Sequence, residues 1–212
     1  TVHTPRANRA EQAAYLTHPV ALVDLRGEQS PLAGSWRNEL ELRETLGLVE
    51  SLLDRGVRAA EIAVITPYRG QLERLRRTFA ERRIPLEYSS ELNEGGAAAG
   101  QRVGVALGTV HRFQGGERSI VLFSAVITRP GSLPFLNTRP NLLNVAISRA
   151  QHHFICLGHA AVLAQGARTR LLTTGAQALI PSAYGRGTQA TLFDPPHAAE
   201  GSAARARLSD HQ

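Results

Sequence analysis

Ile62-Ala-Val-Ile-Thr66, followed at once by Pro67-Tyr-Arg-Gly-Gln71, decides the fold. An apolar run without polar alternation reads as a strand buried on both faces. Pro67 ends it, because proline has no N–H to give a sheet ladder. Beyond it, Leu72, Leu75 and Phe79 recur at helical spacing, with Arg74, Arg76 and Arg77 off that face. Outward from this strand–helix unit the same pattern repeats. Pro19-Val-Ala-Leu-Val-Asp-Leu25, Val103-Gly-Val-Ala-Leu107, Ser119-Ile-Val-Leu-Phe-Ser-Ala-Val-Ile127 and His153-Phe-Ile-Cys-Leu157 read as further apolar strands. Helices fall between them. Leu42, Leu46, Val49, Leu52 and Leu53 mark one, with Gly56 as its stop. Others run over 140–150 and from about His159. Arg26 to Trp36, residues 89–101 and Arg129 to Arg139 carry the glycines and prolines of loops.

Two-faced apolar strands alternating with helices imply an α/β domain, a mostly parallel sheet with helices on both faces. The expected organisation is a linker at 1–17, one domain over 18–180, and a tail over 181–212. That tail is rich in Ala, Gly, Ser, Pro and Arg and is expected to be disordered. In such sheets ligands gather at the carboxyl ends of the strands. Thr66-Pro-Tyr-Arg69, Thr109 to Glu117, and the loop leading to Pro140 are expected there.

The chain has 212 residues, 42% hydrophobic, enough for one domain with its own core. Its net charge is +6 and its isoelectric point is near 10.6. A basic surface suits a polyanion. A GC-rich genome offers a second explanation, since all 24 basic residues are Arg and none is Lys. The missing Lys excludes a standard phosphate-binding P-loop, which needs one after its glycines. Cys156 is the one cysteine, so no intrachain disulfide or paired-Cys zinc site forms, and it reads as a small core residue. His152, His153 and His159 lack the partners of a metal set, so no metal site is expected in this chain. Neither a signal core nor an 18-residue apolar stretch occurs, so a cytoplasmic protein without a membrane partner is expected.

Gly108-Thr-Val-His-Arg-Phe-Gln-Gly-Gly-Glu117 places a polar turn with paired glycines between two strands. Such glycines let backbone N–H groups approach a phosphate; they also serve a plain tight turn. In the helix over 140–150, Leu142, Leu143, Ala146, Ile147 and Ala150 share an apolar face opposite Asn141, Asn144, Ser148 and Gln151. Arg149 returns to the rim of that face, either snorkelling to solvent or reaching into a cleft. Tyr68 reads as a capping aromatic or a stacking platform, and Arg69 and Gln71 as first-turn residues.

Taken in order, Ile65-Thr-Pro-Tyr-Arg-Gly-Gln71, Gly108 to Glu117, Phe135-Leu-Asn and Asn141-Leu-Leu-Asn-Val-Ala-Ile-Ser-Arg149 resemble motifs IV, V and VI of superfamily 1 helicases. The branch containing the nonsense-mediated-decay helicase and its DNA-helicase relatives fits best. Ser35-Trp-Arg-Asn38-Glu-Leu-Glu41 also resembles that branch. The resemblance spans about residues 20–160. It implies a RecA-like, P-loop-NTPase-type fold without its own P-loop: the C-terminal motor domain of an ATP-dependent helicase. ATP with Mg2+ is then clamped against an N-terminal RecA-like domain, which holds most of the Mg2+ ligands. Arg149 matches the arginine finger. Gly116, Glu117, Arg37, Arg69 and Gln71 are implied nucleotide contacts. Thr66, Pro67, Tyr68, Thr109 and His111 are implied contacts to single-stranded DNA or RNA. Gln114 and Asn144 are implied couplers of the two sites. Two positions depart from the pattern: Glu39 stands where the family often has arginine, and Gln151 where many relatives have a basic residue. A non-catalytic nucleic-acid-binding adaptor with the same fold is the alternative.

Overall fold

The computed structural model describes residues 16–87, 103–110, 113 and 116–181. Seven strands form one sheet: β1 (Val20–Asp24), β4 (Ile62–Thr66), β5 (Leu86–Glu87), β6 (Val105–Thr109), β7 (Arg118–Ser124), β8 (Ala150–Gly158) and β9 (Ala178–Pro181). Their order is β5-β6-β4-β7-β8-β1-β9, and every pairing is parallel. The side chains of each strand alternate between two cores. Val23, Val64, Leu122 and Ile155 face helices α1 (Glu39–Asp54) and α2 (Arg69–Glu81). Leu22, Ile65, Phe123 and Phe154 face the other side. That side is covered by α3 (Pro134–Asn137), α4 (Pro140–Ile147), α5 (Ala160–Leu163) and α6 (Arg170–Thr174). The expected α/β sheet with both faces covered is present.

Besides the short β5, α3 and α6, none of them expected from the sequence, four regions differ from the sequence reading. First, Arg26 to Trp36 is not a plain loop. It holds β2 (Gln29–Leu32), which pairs antiparallel with β3 (Ser35–Asn38). Ala33 and Gly34 turn the hairpin with φ of 47° and 72°, the two-residue geometry that matches strand twist. Pro31 is tolerated because the ribbon has only two strands. Second, β7 stops at Ser124, since Val126 takes φ 66° and leaves the ladder. Third, the last long helix ends at Ile147, and Ala150 already begins β8. Arg149 therefore lies in the turn after the helix rather than on its rim. Fourth, the weakly patterned run Ala178–Pro181 pairs with β1 as an edge strand, and Leu16 is buried in the core. The loop over 89–101 and the rest of both termini lie outside the described residues.

Gly70 fixes where the hairpin sits. A Cβ there would lie 2.9 Å from the Trp36 carbonyl oxygen and 3.2 Å from that of Leu32. Both are backbone atoms and cannot swing aside. Helix propensity alone favours Ala over Gly by about 1 kcal/mol. We expect Gly70→Ala to lower the melting temperature despite that preference, by displacing the hairpin. A melting temperature that rises would show the hairpin to be freely movable.

Candidate functional site

Two groups of candidate residues lie at opposite edges of the sheet. At the amino edge, Arg118 of β7 is in register with Ala150 of β8, and the Arg118 amide donates to the Arg149 carbonyl at 2.9 Å. The residues just before this pair, Glu117 and Arg149, are thereby set side by side. Gln151 Nε2 donates to Glu117 Oε2 at 3.4 Å. The Arg149 guanidinium is half-buried and held by neutral acceptors, the Val145 carbonyl at 3.3 Å and Ser148 Oγ at 3.1 Å. Among the described residues it has no carboxylate partner, so its charge is open to an anion. Gly116 adjoins Glu117 in sequence and is half-buried. Asn144 is exposed on α4.

Arg118 holds this edge together, and nothing in the sequence singled it out. Its side chain is 3% exposed and bonds Glu87 Oε2 at 2.7 Å. It also donates to the Glu117 carbonyl at 2.9 Å, fixing the backbone that carries Glu117.

At the carboxyl edge, Thr66 and Thr109 are level neighbours on β4 and β6. A cleft of about 1080 Å³ opens there, with Pro67, Tyr68, Arg69 and Thr109 in its wall. Tyr68 stacks on Phe135 at 4.7 Å, and Arg139 lies 4.3 Å above the Phe135 ring. Burial, with Glu41 nearby, pushes the Tyr68 hydroxyl up to about 12.

Beneath the cleft lies a buried polar network. Asn38 caps α1, its Oδ1 accepting from the amides of Leu40 and Glu41. Glu41 accepts from Ser124 Oγ at 2.7 Å, from the Val126 amide at 2.8 Å and from Asn38 Nδ2 at 3.3 Å. Gln71 donates to Ser124 Oγ at 3.1 Å and accepts from the Asn38 amide at 2.9 Å. Asn38, Glu41, Gln71 and Ser124 are all fully or almost fully buried. Burial pushes the Glu41 carboxyl up to about 8, opposed by the Ser124 and Val126 donors.

These positions bear on several expectations. The Gln71 amide is spent inside the domain, on Asn38 and Ser124. Thr66 is fully buried, its hydroxyl accepting from the Tyr68 amide. The Tyr68 ring is 5% exposed and packs inward; it backs the cleft and presents no free stacking face. Arg37 bonds Ser30 on the hairpin and Glu39 at the start of α1, and Arg69 opens α2. Both lie at the carboxyl edge, away from Arg149. Glu117 and Arg149 themselves precede their strands, so they are not at the carboxyl ends where ligands were expected. His111 and Gln114 lie outside the described residues. The segment from 110 to 117 nevertheless joins the two edges, since it leaves the carboxyl end of β6 and arrives at the amino end of β7. Phe113 anchors it, buried against Gly108, where a Cβ would meet the ring at 2.8 Å. Histidines do not gather here either: His152 is exposed and His153 Nδ1 faces the His18 carbonyl at 3.2 Å.

A family model described as an AAA domain matches residues 1–161. The chain belongs to that family. Within it, the chain is a superfamily 1 helicase domain with a RecA-like α/β sheet. It is 33% identical over 141 residues to the DNA-binding protein SMUBP-2 of Mus musculus, covering 65% of this chain and 12% of that protein. It is 33% identical over 138 residues to "Probable RNA helicase armi" of Drosophila melanogaster, covering 61% and 10%. A solved structure of the C-terminal domain of a possible DNA helicase from a Lactobacillus shares 14% identity, with a TM-score of 0.44, over 84% of this chain and 96% of that one. The helicase domain spans 15% or less of the length of the curated relatives it matches. No helix among the described residues is long and apolar enough to cross a membrane.

Proposed function

We propose that this domain is the arginine-bearing half of an ATP-driven helicase motor and contacts single-stranded DNA or RNA. Its partner is an N-terminal RecA-like domain carrying the P-loop. The observation that carries the reading is that Glu117 and Arg149 adjoin at the amino edge, where the Arg118 amide donates to the Arg149 carbonyl. A guanidinium without a carboxylate partner beside an exposed carboxylate suits an anionic nucleotide with a hydroxyl-bearing sugar. Arg149 stabilises charge that develops on the transferred phosphoryl group, and Glu117 accepts from the ribose. Mg2+ is held mainly by the partner domain.

Pro67 and Thr109 at the opposite edge contact the strand, and residues 110–117 carry changes at one edge to the other. The relatives' names support a nucleic-acid partner without choosing between DNA and RNA. Single-strand affinity measured against salt tests this part. Thr109→Val removes a neutral donor, so we expect affinity to fall by about 2- to 10-fold. The slope of affinity against salt stays unchanged, because no cation is lost. Unchanged affinity would remove Thr109 from the strand path.

A further inference from the structure

The cleft at the carboxyl edge holds more than the strand contacts just named. Trp36, the chain's sole tryptophan, stands in its wall on the β2–β3 hairpin and is 36% exposed. Across the cleft lies the Tyr68–Phe135 stack, with the Arg139 guanidinium 4.3 Å above the Phe135 ring. Arg69 and Arg76 line the same space on α2. Several other arginines of the described surface are spent on acids: Arg37 and Arg74 on Glu39, Arg58 on Glu61, Arg77 on Glu81, Arg82 on Glu50. Arg69, Arg76 and Arg139 have no carboxylate partner among the described residues. Glu73 is the one acid in the cleft wall.

Three unspent guanidiniums against one carboxylate select a polyanion. An exposed indole beside a ring-stacked guanidinium selects flat, π-faced groups. An unpaired nucleic-acid strand has both, and a paired one hides its base faces. The volume leaves room for it, since about 1080 Å³ lies just above the roughly 300–1,000 Å³ of sites that enclose drug-sized ligands.

We propose that this cleft is a base-stacking subsite for single-stranded nucleic acid, with Trp36 as the platform and Arg69, Arg76 and Arg139 on the flanking phosphates. The hairpin is thereby part of the strand path. Its position is fixed by the close approach of Trp36 and Leu32 to Gly70. The inference rests on the strand-binding reading above and adds residues that reading did not use.

Because Trp36 is the sole tryptophan, its emission reports on the subsite alone. The 212-residue chain is titrated with fluorescein-labelled oligo(dT) and oligo(U), following anisotropy; unlabelled oligomers are used for indole quenching. Expected are binding with saturable quenching, and a loss of about 5- to 150-fold in affinity for Trp36→Ala. Trp36→Phe keeps a ring and retains most of the affinity, which separates stacking from a folding defect. Arg76→Gln and Arg139→Gln each lower the salt slope by about 1. Binding without quenching, and with Trp36→Ala at wild-type affinity, overturns the subsite and leaves the strand-binding reading standing. Failure of the chain to bind any single strand overturns both. Equal quenching by oligo-glutamate at the same charge overturns the nucleic-acid assignment in favour of an acidic peptide.

Discussion

Glu41→Ala is expected to lower the melting temperature by roughly 6–20 °C, a loss of about 3–5 kcal/mol. The Glu41 carboxyl group is the hub of the carboxyl-edge network. It binds Ser124, the Val126 amide and Asn38 in a fully buried space. Removing it strands these donors, and each buried unsatisfied donor costs about 1–3 kcal/mol. The Val126 amide has a further burden. Val126 holds φ 66°, which is strained for a β-branched residue. Its bond to Glu41 offsets that strain. The network also ties three elements together: the cap of α1, the first turn of α2 and the end of β7. A melting temperature within 2–3 °C of wild type, about 1 kcal/mol, would contradict this role.

The same group gives stability a pH dependence. Its carboxyl is raised from 4.5 in the unfolded chain to about 8 in the folded one. The folded state therefore keeps a proton that the unfolded state releases. The contribution from Glu41 is full below pH 4.5, falls between 4.5 and about 8, and is flat above. Within that window the slope is about 1.4 kcal/mol per pH unit. Glu41→Gln, which cannot ionise, flattens the profile there. A variant whose denaturation midpoint follows the wild-type pH profile would show that the dependence arises elsewhere.

Arg149→Ala, made in the natural full-length protein, is expected to reduce strand-stimulated ATP turnover by about 10³-fold or more. The turn after α4 presents the guanidinium on the backbone of the β7–β8 ladder, where the Arg118 amide fixes the Arg149 carbonyl at 2.9 Å. A rigid mount suits a group that must meet charge only as it develops. The loss belongs in kcat, with strand affinity little changed, because the strand contacts lie at the other edge of the sheet. Arg149→Lys keeps the charge but not the planar fork, and is expected to recover only part of the rate. Turnover within two-fold of wild type for Arg149→Ala would remove the finger role.

The sheet was legible because its strands are apolar on both faces. Ile62–Thr66 and Ser119–Ser124 have no polar alternation, and only burial under helices on both sides explains that. The hairpin was not legible. Gln29–Leu32 and Ser35–Asn38 have neither a period nor a hydrophobic face, and they form because Ala33-Gly34 turns them and Gly70 admits them. Ala178–Pro181 was missed for a related reason, since a short edge strand needs little apolar pattern. At the site, Glu117 and Arg149 were found as motif positions, but their placement at the amino edge came only from the register of β7 and β8. Gln71 and Thr66 were read as surface contacts because polar residues after a strand usually are. Here Asn38 and Ser124 hold Gln71 in a buried network, and Thr66 is buried with its hydroxyl accepting from the Tyr68 amide. Asn38 and Glu41 at a three-residue spacing before a helical apolar run were the available signal for it.

The central claim is that this chain is the arginine side of an ATP site completed by another domain. Phosphate release under Mg-ATP, with and without single strand, tests it most directly. Three samples are compared: the isolated chain, shown folded by a cooperative melt, the natural full-length protein, and that protein with Arg149→Ala. The account predicts no release above background from the isolated chain. It predicts strand-stimulated release from the full-length protein, lost with Arg149→Ala. Release from the isolated chain that disappears with Arg149→Ala would contradict it, as would full-length turnover indifferent to Arg149.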